Sequence, residues 1–251
     1  MPVLGGKAGQ AVCGFYRNEN KGETPASGTL KRIIFLISII FLIIPASVFG
    51  DSPPFIVFEV WIEADPFVPG SDYAPLSDDD IHQALLEKAR WVAGGLVYGF
   101  EVHYVIGHRV QELDERFTMT PAGSIERGDP AFRILNTRME GSKAFARVRY
   151  DLKEHQKRWI RRFSGVETRR IQGSGTGPLH LGDEGRMLSY EEAVKAGIRG
   201  MLQAKERNRP REVFCTILFE TPPRTVVDAG SYRSNVRMGV VVHELVPHRI
   251  Y

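Results

Sequence analysis

The sequence predicts an α+β fold, with a mainly antiparallel sheet covered by two amphipathic helices. Short runs rich in β-branched and aromatic residues alternate with clusters of turn residues, as strands do. Two longer segments carry apolar residues at helical spacing behind an acidic first turn. The 251 residues are 43% hydrophobic and 25% charged, an ordinary globular composition, and two cysteines cannot supply a disulfide framework. A buried core must therefore hold the fold together.

The first strand and the first helix are predicted near the start of this domain. Residues 55–62 (FIVFEVWI) are apolar enough for a strand buried on both faces. Ser77 precedes three aspartates and is a suitable N-cap, because carboxylates favour the positive end of a helix dipole. The apolar stripe of this helix comprises Ile81, Ala84, Leu85, Lys88, Ala89, Val92 and Ala93. We expect Gly94 and Gly95 to end the helix.

The middle of the chain predicts two strands separated by a long polar loop. The strands are expected at 96–106 and 144–152, and the loop at 107–130. In the second strand, alternate residues are apolar, which places them on one face of a sheet.

The C-terminal part repeats the order of helix and strands. The sequence from Leu188 (LSYEEAVKAGIRGMLQAK) is similar to that from Leu76, with a Leu-Ser pair, acids and then small and apolar residues at helical spacing. Strands are expected at 213–219, 225–227 and 235–246. This pattern favours either two related helix-strand-strand halves that share one sheet, at about 51–172 and 186–251, or two unrelated helices with similar caps.

Residues 1–50 are predicted to be a leader and signal peptide. Twelve apolar or small residues, 33–44 (IIFLISIIFLII), follow Lys31 and Arg32 and are too few to cross a bilayer comfortably. Val48 and Gly50 suit the positions before a cleavage site, so cleavage is expected before Asp51. Residues 51–251 would then be a single periplasmic or extracellular domain without a stable membrane span. The alternative is an uncleaved inner-membrane signal anchor.

The charge of residues 51–251 is divided along the chain. Residues 51–130 hold 5 basic and 15 acidic side chains, whereas residues 131–251 hold 23 and 13. The two parts thus have opposite net charges. This pattern predicts either pairing inside one chain or head-to-tail self-association that weakens with salt.

The candidate binding surface is the basic segment, residues 153–170 (KEHQKRWIRRFSGVETRR). Cations interleaved with aromatic side chains bind polyanions. Export makes a protein or an anionic envelope component the expected partner, and argues against nucleic acid. The candidate residues are Lys157, Arg158, Trp159, Arg161, Arg162, Phe163, Arg169 and Arg170. The alternative is an amphipathic helix with Leu152, Trp159 and Phe163 in the core, whose arginines pair with the acidic part of the chain.

No segment carries a specific catalytic or cofactor motif, so we expect neither catalytic residues, nor a metal, nor a cofactor. Residues 173–185 (GSGTGPLHLGDEG) alternate glycines but lack the Lys-Ser/Thr of a phosphate-binding loop, which favours a flexible linker between the halves. The histidine pairs 103/108 and 243/248 lie at the ends of predicted strands, where residues five apart point to opposite faces unless Gly107 or Pro247 bends the chain. The alternative function is an envelope hydrolase acting on a glycan or phosphate ester, with the Gly-rich segment and nearby arginines as its site.

The layout resembles the small α/β modules of bacterial flagellar assembly protein T and related envelope lipoproteins. A signal peptide is followed by the capped helix LSYEEAVKAGIRGMLQAK and a strand pair that ends in VRMGVVVHELV. The chain departs from the lipoproteins because it has no lipid-bearing cysteine at the expected cleavage site. The resemblance implies a non-enzymatic, motility-associated envelope component, and it transfers no functional residues.

Overall fold

A computed structural model describes residues 54–65, 76–107, 114–205 and 210–247. These belong to one compact unit, residues 51–251. The α+β class is confirmed, with two antiparallel sheets and three α-helices over the described ranges. The predicted signal peptide lies outside the described residues.

The elements of the fold have the following bounds. The strands are β1 (Phe55–Glu63), β2 (Phe100–Val105), β3 (Arg116–Pro121), β4 (Phe132–Glu140), β5 (Lys143–Asp151), β6 (Arg169–Pro178), β7 (Glu212–Phe219), β8 (Arg224–Asp228) and β9 (Ser231–Val246). The helices are α1 (Asp78–Val97), α2 (Glu154–Arg162) and α3 (Gly182–Lys205). A short 3₁₀ turn, Leu179–Leu181, precedes α3.

The strands form a small sheet and a large sheet. The small sheet has the order β1-β5-β4, and the large one has the order β3-β2-β7-β9-β6, with β8 also paired to β9. Because β2 pairs with β7, the predicted helix-strand units of the two halves do meet in one sheet. The small sheet was not expected as a separate layer. Helix α1 packs on the small sheet, whereas α3 packs on β6 and β9 of the large one.

Helix α1 begins as predicted but ends later. The Ser77 side chain accepts a hydrogen bond from the Asp80 backbone N–H at 3.2 Å. The helix continues through Gly94 and Gly95 to Val97, so the prediction that these glycines end it, and that a strand begins at residue 96, was wrong. A Cβ on Gly95 would lie 2.6 Å from the Phe219 ring, so this glycine permits close helix-sheet packing.

Two strands in the middle of the chain escaped prediction. The expected loop at 107–130 contains β3, an edge strand paired with β2. Strand β4, at the edge of the small sheet, also gave no signal, because its side chains are largely exposed on both faces. Edge strands of this kind lack the alternation that marks a half-buried strand.

The Gly-rich segment is not a flexible linker, and that prediction was wrong. Residues 169–178 form β6, and α3 begins at Gly182 instead of near the predicted Leu188. Gly173, Gly175 and Gly177 face α3 so closely that a Cβ would lie 1.8–2.2 Å from its backbone. The alternate glycines therefore serve strand-helix packing.

Two hydrophobic clusters fill the interior, one for each sheet. Trp91 and Leu96 of α1 pack against both clusters. The Trp91 ring stacks on Tyr190 of α3, with ring centroids 5.4 Å apart. Helix α1 is thus the element that connects the two layers.

Candidate functional site

Helix α2, which carries most of the basic segment, is anchored by the buried Gln156 and the half-buried Trp159. Gln156 is fully buried and donates to the hydroxyls of Tyr98 and Tyr150, at 2.7 and 2.8 Å. Its carbonyl oxygen accepts from the Lys153 backbone N–H and so caps the helix. The indole N–H of Trp159 donates to the Tyr98 carbonyl oxygen at 2.9 Å. Because three of these hydrogen bonds join it to residues outside the helix, α2 is held in one orientation.

The inner face of α2 agrees with the amphipathic-helix alternative. Leu152 and Phe163, which flank the helix, are buried, and Trp159 is half-buried. The Trp159 and Phe163 rings meet edge to face, with centroids 5.9 Å apart. Both aromatic side chains therefore contribute to the packing of α2, and their predicted part in partner binding stays a prediction.

The outer face of α2 carries three exposed arginines, Arg158, Arg161 and Arg162. The guanidinium of Arg162 lies 5.1 Å from the centre of the Trp159 ring, within cation–π range. Lys157 is half-buried and pairs with Glu154 at 2.7 Å. The Lys157 hydrogen bond lowers the pKa of Glu154, and the charges of Arg161 and Arg158 lower it further.

The last two candidate residues lie apart from this face, at the start of β6. Arg170 is exposed, and its Nε lies 3.1 Å from a carboxylate oxygen of Glu220. One terminal nitrogen of Arg169 is buried without a hydrogen-bond partner in the part of the chain described. Adjacent strand residues point to opposite faces of a sheet. The eight predicted residues therefore do not form one continuous patch.

A cavity of about 340 Å³ lies beneath α2. Its apolar walls include Leu96 at the end of α1, Ile160 and Phe163 from the α2 region, and Leu218 and Phe219 from β7. Its polar lining comes from Ser164, Arg170 and Glu220. The basic segment thus forms part of an apolar cavity that the sequence did not predict.

The divided charge is matched in part by ion pairs inside the chain. Glu59 pairs with Arg138 at 2.5 Å, and Asp129 pairs with Lys153 at 3.1 Å. Glu115 also pairs with Arg199. Each pair joins the acidic and basic parts. The predicted pairing of α2 arginines with the acidic part is not seen, because the ion pairs of the basic segment involve Lys153, Lys157 and Arg170 within the described ranges.

An ionic cluster of two buried cations, Lys88 and Arg186, and the more exposed Asp183 joins α1, α3 and β1. The Lys88 ammonium, in a side chain only 7% exposed, lies 2.8 Å from Asp183 and 3.2 Å from the sulfur of Met187. Arg186 is 3% exposed, pairs with Asp183 and donates to the Trp61 carbonyl oxygen at 2.6 Å. Its Nε is buried without a partner among the described residues.

Two cations share one carboxylate in this cluster, and the pKa values of Lys88 and Asp183 are both lowered. Burial, followed by the Arg186 charge, lowers the pKa of Lys88 to about 8, against the opposing effect of Asp183. Burial alone would raise the pKa of Asp183, but the charges of Arg186 and Lys88 lower it. The sequence places Lys88 in the apolar stripe of α1. A lone charge in that stripe is the sequence signal that could have indicated a buried ionic group.

His103, His243 and Cys215 occupy ordinary structural positions. His103 pairs with Glu212 at 3.2 Å, and His243 contacts the Thr216 hydroxyl at 2.6 Å, whereas His108 and His248 lie outside the described residues. Over the described ranges no three His, Cys, Asp or Glu side chains could together hold a metal ion. Cys215 is buried in the core, and burial raises its pKa to about 12.

No α-helix in the described part of the chain is both long and apolar enough to cross a bilayer.

The model of one protein family matches residues 49–248. The chain belongs to that family. A relative from Treponema pallidum (strain Nichols), named only as an uncharacterized protein, is 25% identical over 169 residues. The match covers 67% of this chain and 71% of the relative. No solved structure matches the chain. The layout-level resemblance to flagellar assembly protein T stays a prediction.

Proposed function

We propose that this family member is an exported binding or assembly module of the bacterial envelope, without catalytic activity, that contacts its partner through the outer face of α2. The observation that carries the proposal is the contrast between the two faces of this helix. Gln156 and Trp159 fasten the inner face, while Arg158, Arg161 and Arg162 point outward. A fixed helix presents its guanidinium groups with little further loss of conformational entropy on binding.

The chemistry of this face favours an acidic protein surface as the partner. Arginine pairs with carboxylates through two parallel hydrogen bonds and is enriched at protein interfaces. Arg158 and Arg161 make no ion pair within the described ranges, so their charges remain available to a partner. An anionic lipid or glycan of the envelope is the alternative partner. The resemblance to flagellar assembly protein T adds an association with motility to the proposal.

The hydrolase alternative loses its main support from the position of the Gly-rich segment. A phosphate-cradling loop must present backbone N–H groups to a ligand. Gly173, Gly175 and Gly177 instead lie against the backbone of α3, with no room for a ligand between strand and helix. We therefore favour a binding module.

Replacement of the three α2 arginines by glutamine tests the proposed surface. We expect the Arg158→Gln/Arg161→Gln/Arg162→Gln variant to lose partner recovery in a cross-linking pull-down from the native envelope, with an unchanged melting temperature. The matched control replaces three exposed arginines on β8 and β9: Arg224, Arg233 and Arg237. Equal recovery from the α2 variant and the wild type would refute the proposed surface. A large fall in melting temperature would instead indicate that these arginines stabilise the fold.

The proposed location and the state of association have their own tests. Mass spectrometry of the protein recovered from cells should show a mature N-terminus at Asp51, whereas a signal anchor would retain the leader. Light scattering across a salt series distinguishes self-association through the oppositely charged parts from pairing of those parts inside one chain. Self-association between opposite charges would fall as salt screens them, and internal pairing would leave the mass constant.

A further inference from the structure

We infer that the cavity beneath α2 binds an amphipathic anion, with a short acyl chain inside and a carboxylate or similar group on Arg170. This site is distinct from the proposed partner surface, which lies on the opposite, outer face of the helix. The inference therefore goes beyond the proposed function and does not depend on it.

The size and lining of the cavity fit a short acyl chain. Binding sites for small molecules typically begin near 300 Å³ and are mostly apolar, and this cavity measures about 340 Å³. If each heavy atom occupies roughly the 30 Å³ of a water molecule, the cavity holds on the order of ten heavy atoms. The acyl chain would lie against aliphatic and aromatic carbon of Ile160, Phe163 and Leu218. Burial of that apolar surface supplies the main favourable free energy.

The polar lining indicates the headgroup. Arg170 is 71% exposed, and its Nε lies 3.1 Å from Glu220, so much of its guanidinium is open to solvent. Arginine is suited to carboxylate recognition because its guanidinium offers parallel donors. The Ser164 hydroxyl also lines the cavity and can donate to the same headgroup.

The lining holds one basic and one acidic side chain. Glu220 is the acidic residue in the lining, and Arg170 already pairs with it. The lining therefore has no net charge, and an anionic headgroup would compete with Glu220 for the exposed guanidinium of Arg170.

Isothermal titration of the mature chain with decanoate, below its micelle concentration, tests this inference. We expect saturable binding at one site. Ile160→Phe should fill part of the cavity and weaken binding at least tenfold. Arg170→Gln should weaken decanoate binding by roughly tenfold, since a charge-assisted hydrogen bond is lost. The matched control is Arg233→Gln, because Arg233 is also an exposed arginine paired with one acid, Asp228 at 2.9 Å.

Two further measurements keep the test decisive. Decanol should bind wild type and Arg170→Gln equally, because it has no charge for Arg170 to recognise. Leu218→Phe fills the same cavity from β7. It is the variant to use if Ile160→Phe lowers the melting temperature. No saturable binding, equal binding by both filling variants and wild type, or equal losses in Arg170→Gln and Arg233→Gln would each overturn the inference.

Discussion

Because of Lys88, the free energy of unfolding of this protein changes with pH in the alkaline range. Its side chain is 7% exposed and shares Asp183 with a second buried cation, Arg186. Its pKa falls from an ordinary 10.5 to about 8 in the folded protein. Between these two pH values the unfolded chain keeps a proton that the folded chain has released. The free energy of unfolding must therefore rise with pH across this window.

The size of the effect follows from the two pKa values. Each unit of difference corresponds to about 1.4 kcal/mol, so the shift of Lys88 contributes about 3 kcal/mol. This contribution is complete above pH 10.5 and is lost as the pH falls through 8. Several groups oppose it, because burial raises the pKa of Cys215 and of four tyrosines. Each of them lowers the stability of the fold as the pH rises above its unfolded pKa. The tyrosines are Tyr104, Tyr150, Tyr190 and Tyr232.

A comparison with Lys88→Met isolates the lysine, since the other groups are the same in both proteins. Urea unfolding followed by tryptophan fluorescence at pH 7 to 11 gives the two free energies of unfolding. We expect the wild-type value minus the variant value to increase by about 3 kcal/mol over this range. The arginine of Lys88→Arg stays protonated over this range. The wild-type free energy of unfolding minus that of Lys88→Arg should therefore increase with pH by the same amount. A difference that stays constant with pH would refute the burial of a charged Lys88.

Further substitutions test the close packing and the buried polar groups. Gly175→Ala in β6 places a Cβ 2.2 Å from the backbone nitrogen of Ala193 in α3, so we expect the free energy of unfolding by denaturant to fall by about 3 kcal/mol. A Cβ on Gly200, also in α3, meets no atom within 4 Å, so Gly200→Ala should raise the free energy of unfolding by about 0.5–1 kcal/mol. Gln156→Leu removes hydrogen bonds to two tyrosine hydroxyls and should lower the free energy of unfolding by about 2 kcal/mol, with a drop in melting temperature as the measurement. Asp183→Asn leaves two buried cations without their shared carboxylate and should cost about 2 kcal/mol at pH 7. An unchanged melting temperature in Gly175→Ala, Gln156→Leu or Asp183→Asn, or a loss in Gly200→Ala, would contradict the packing described.

The outer face of α2 shows how far a charge pattern in sequence can lead. The pattern identified a basic, aromatic-rich segment, but it did not show which residues face inward. The hydrogen bonds of Gln156 and Trp159 to Tyr98 and Tyr150 define the inner face. The cavity and the ionic cluster lay beyond sequence reasoning. Each is built from residues on several elements, and their contacts depend on how the helices and strands pack.

The sequence by itself determined the elements whose signals are local. The existence of strand β1 follows from a run of apolar residues, the start of α1 from the Ser77 cap, and β5 from strict alternation. The predicted burial of β1 on both faces was wrong, because Phe55 and Val57 on one face are exposed. Tertiary structure alone decided the small sheet, with its exposed edge strand β4, and the conversion of the Gly-rich segment into a strand. The physical reason is the same in each case: exposed edges and alternate glycines carry no hydrophobic pattern, and they take their conformation from the elements that pack or pair with them.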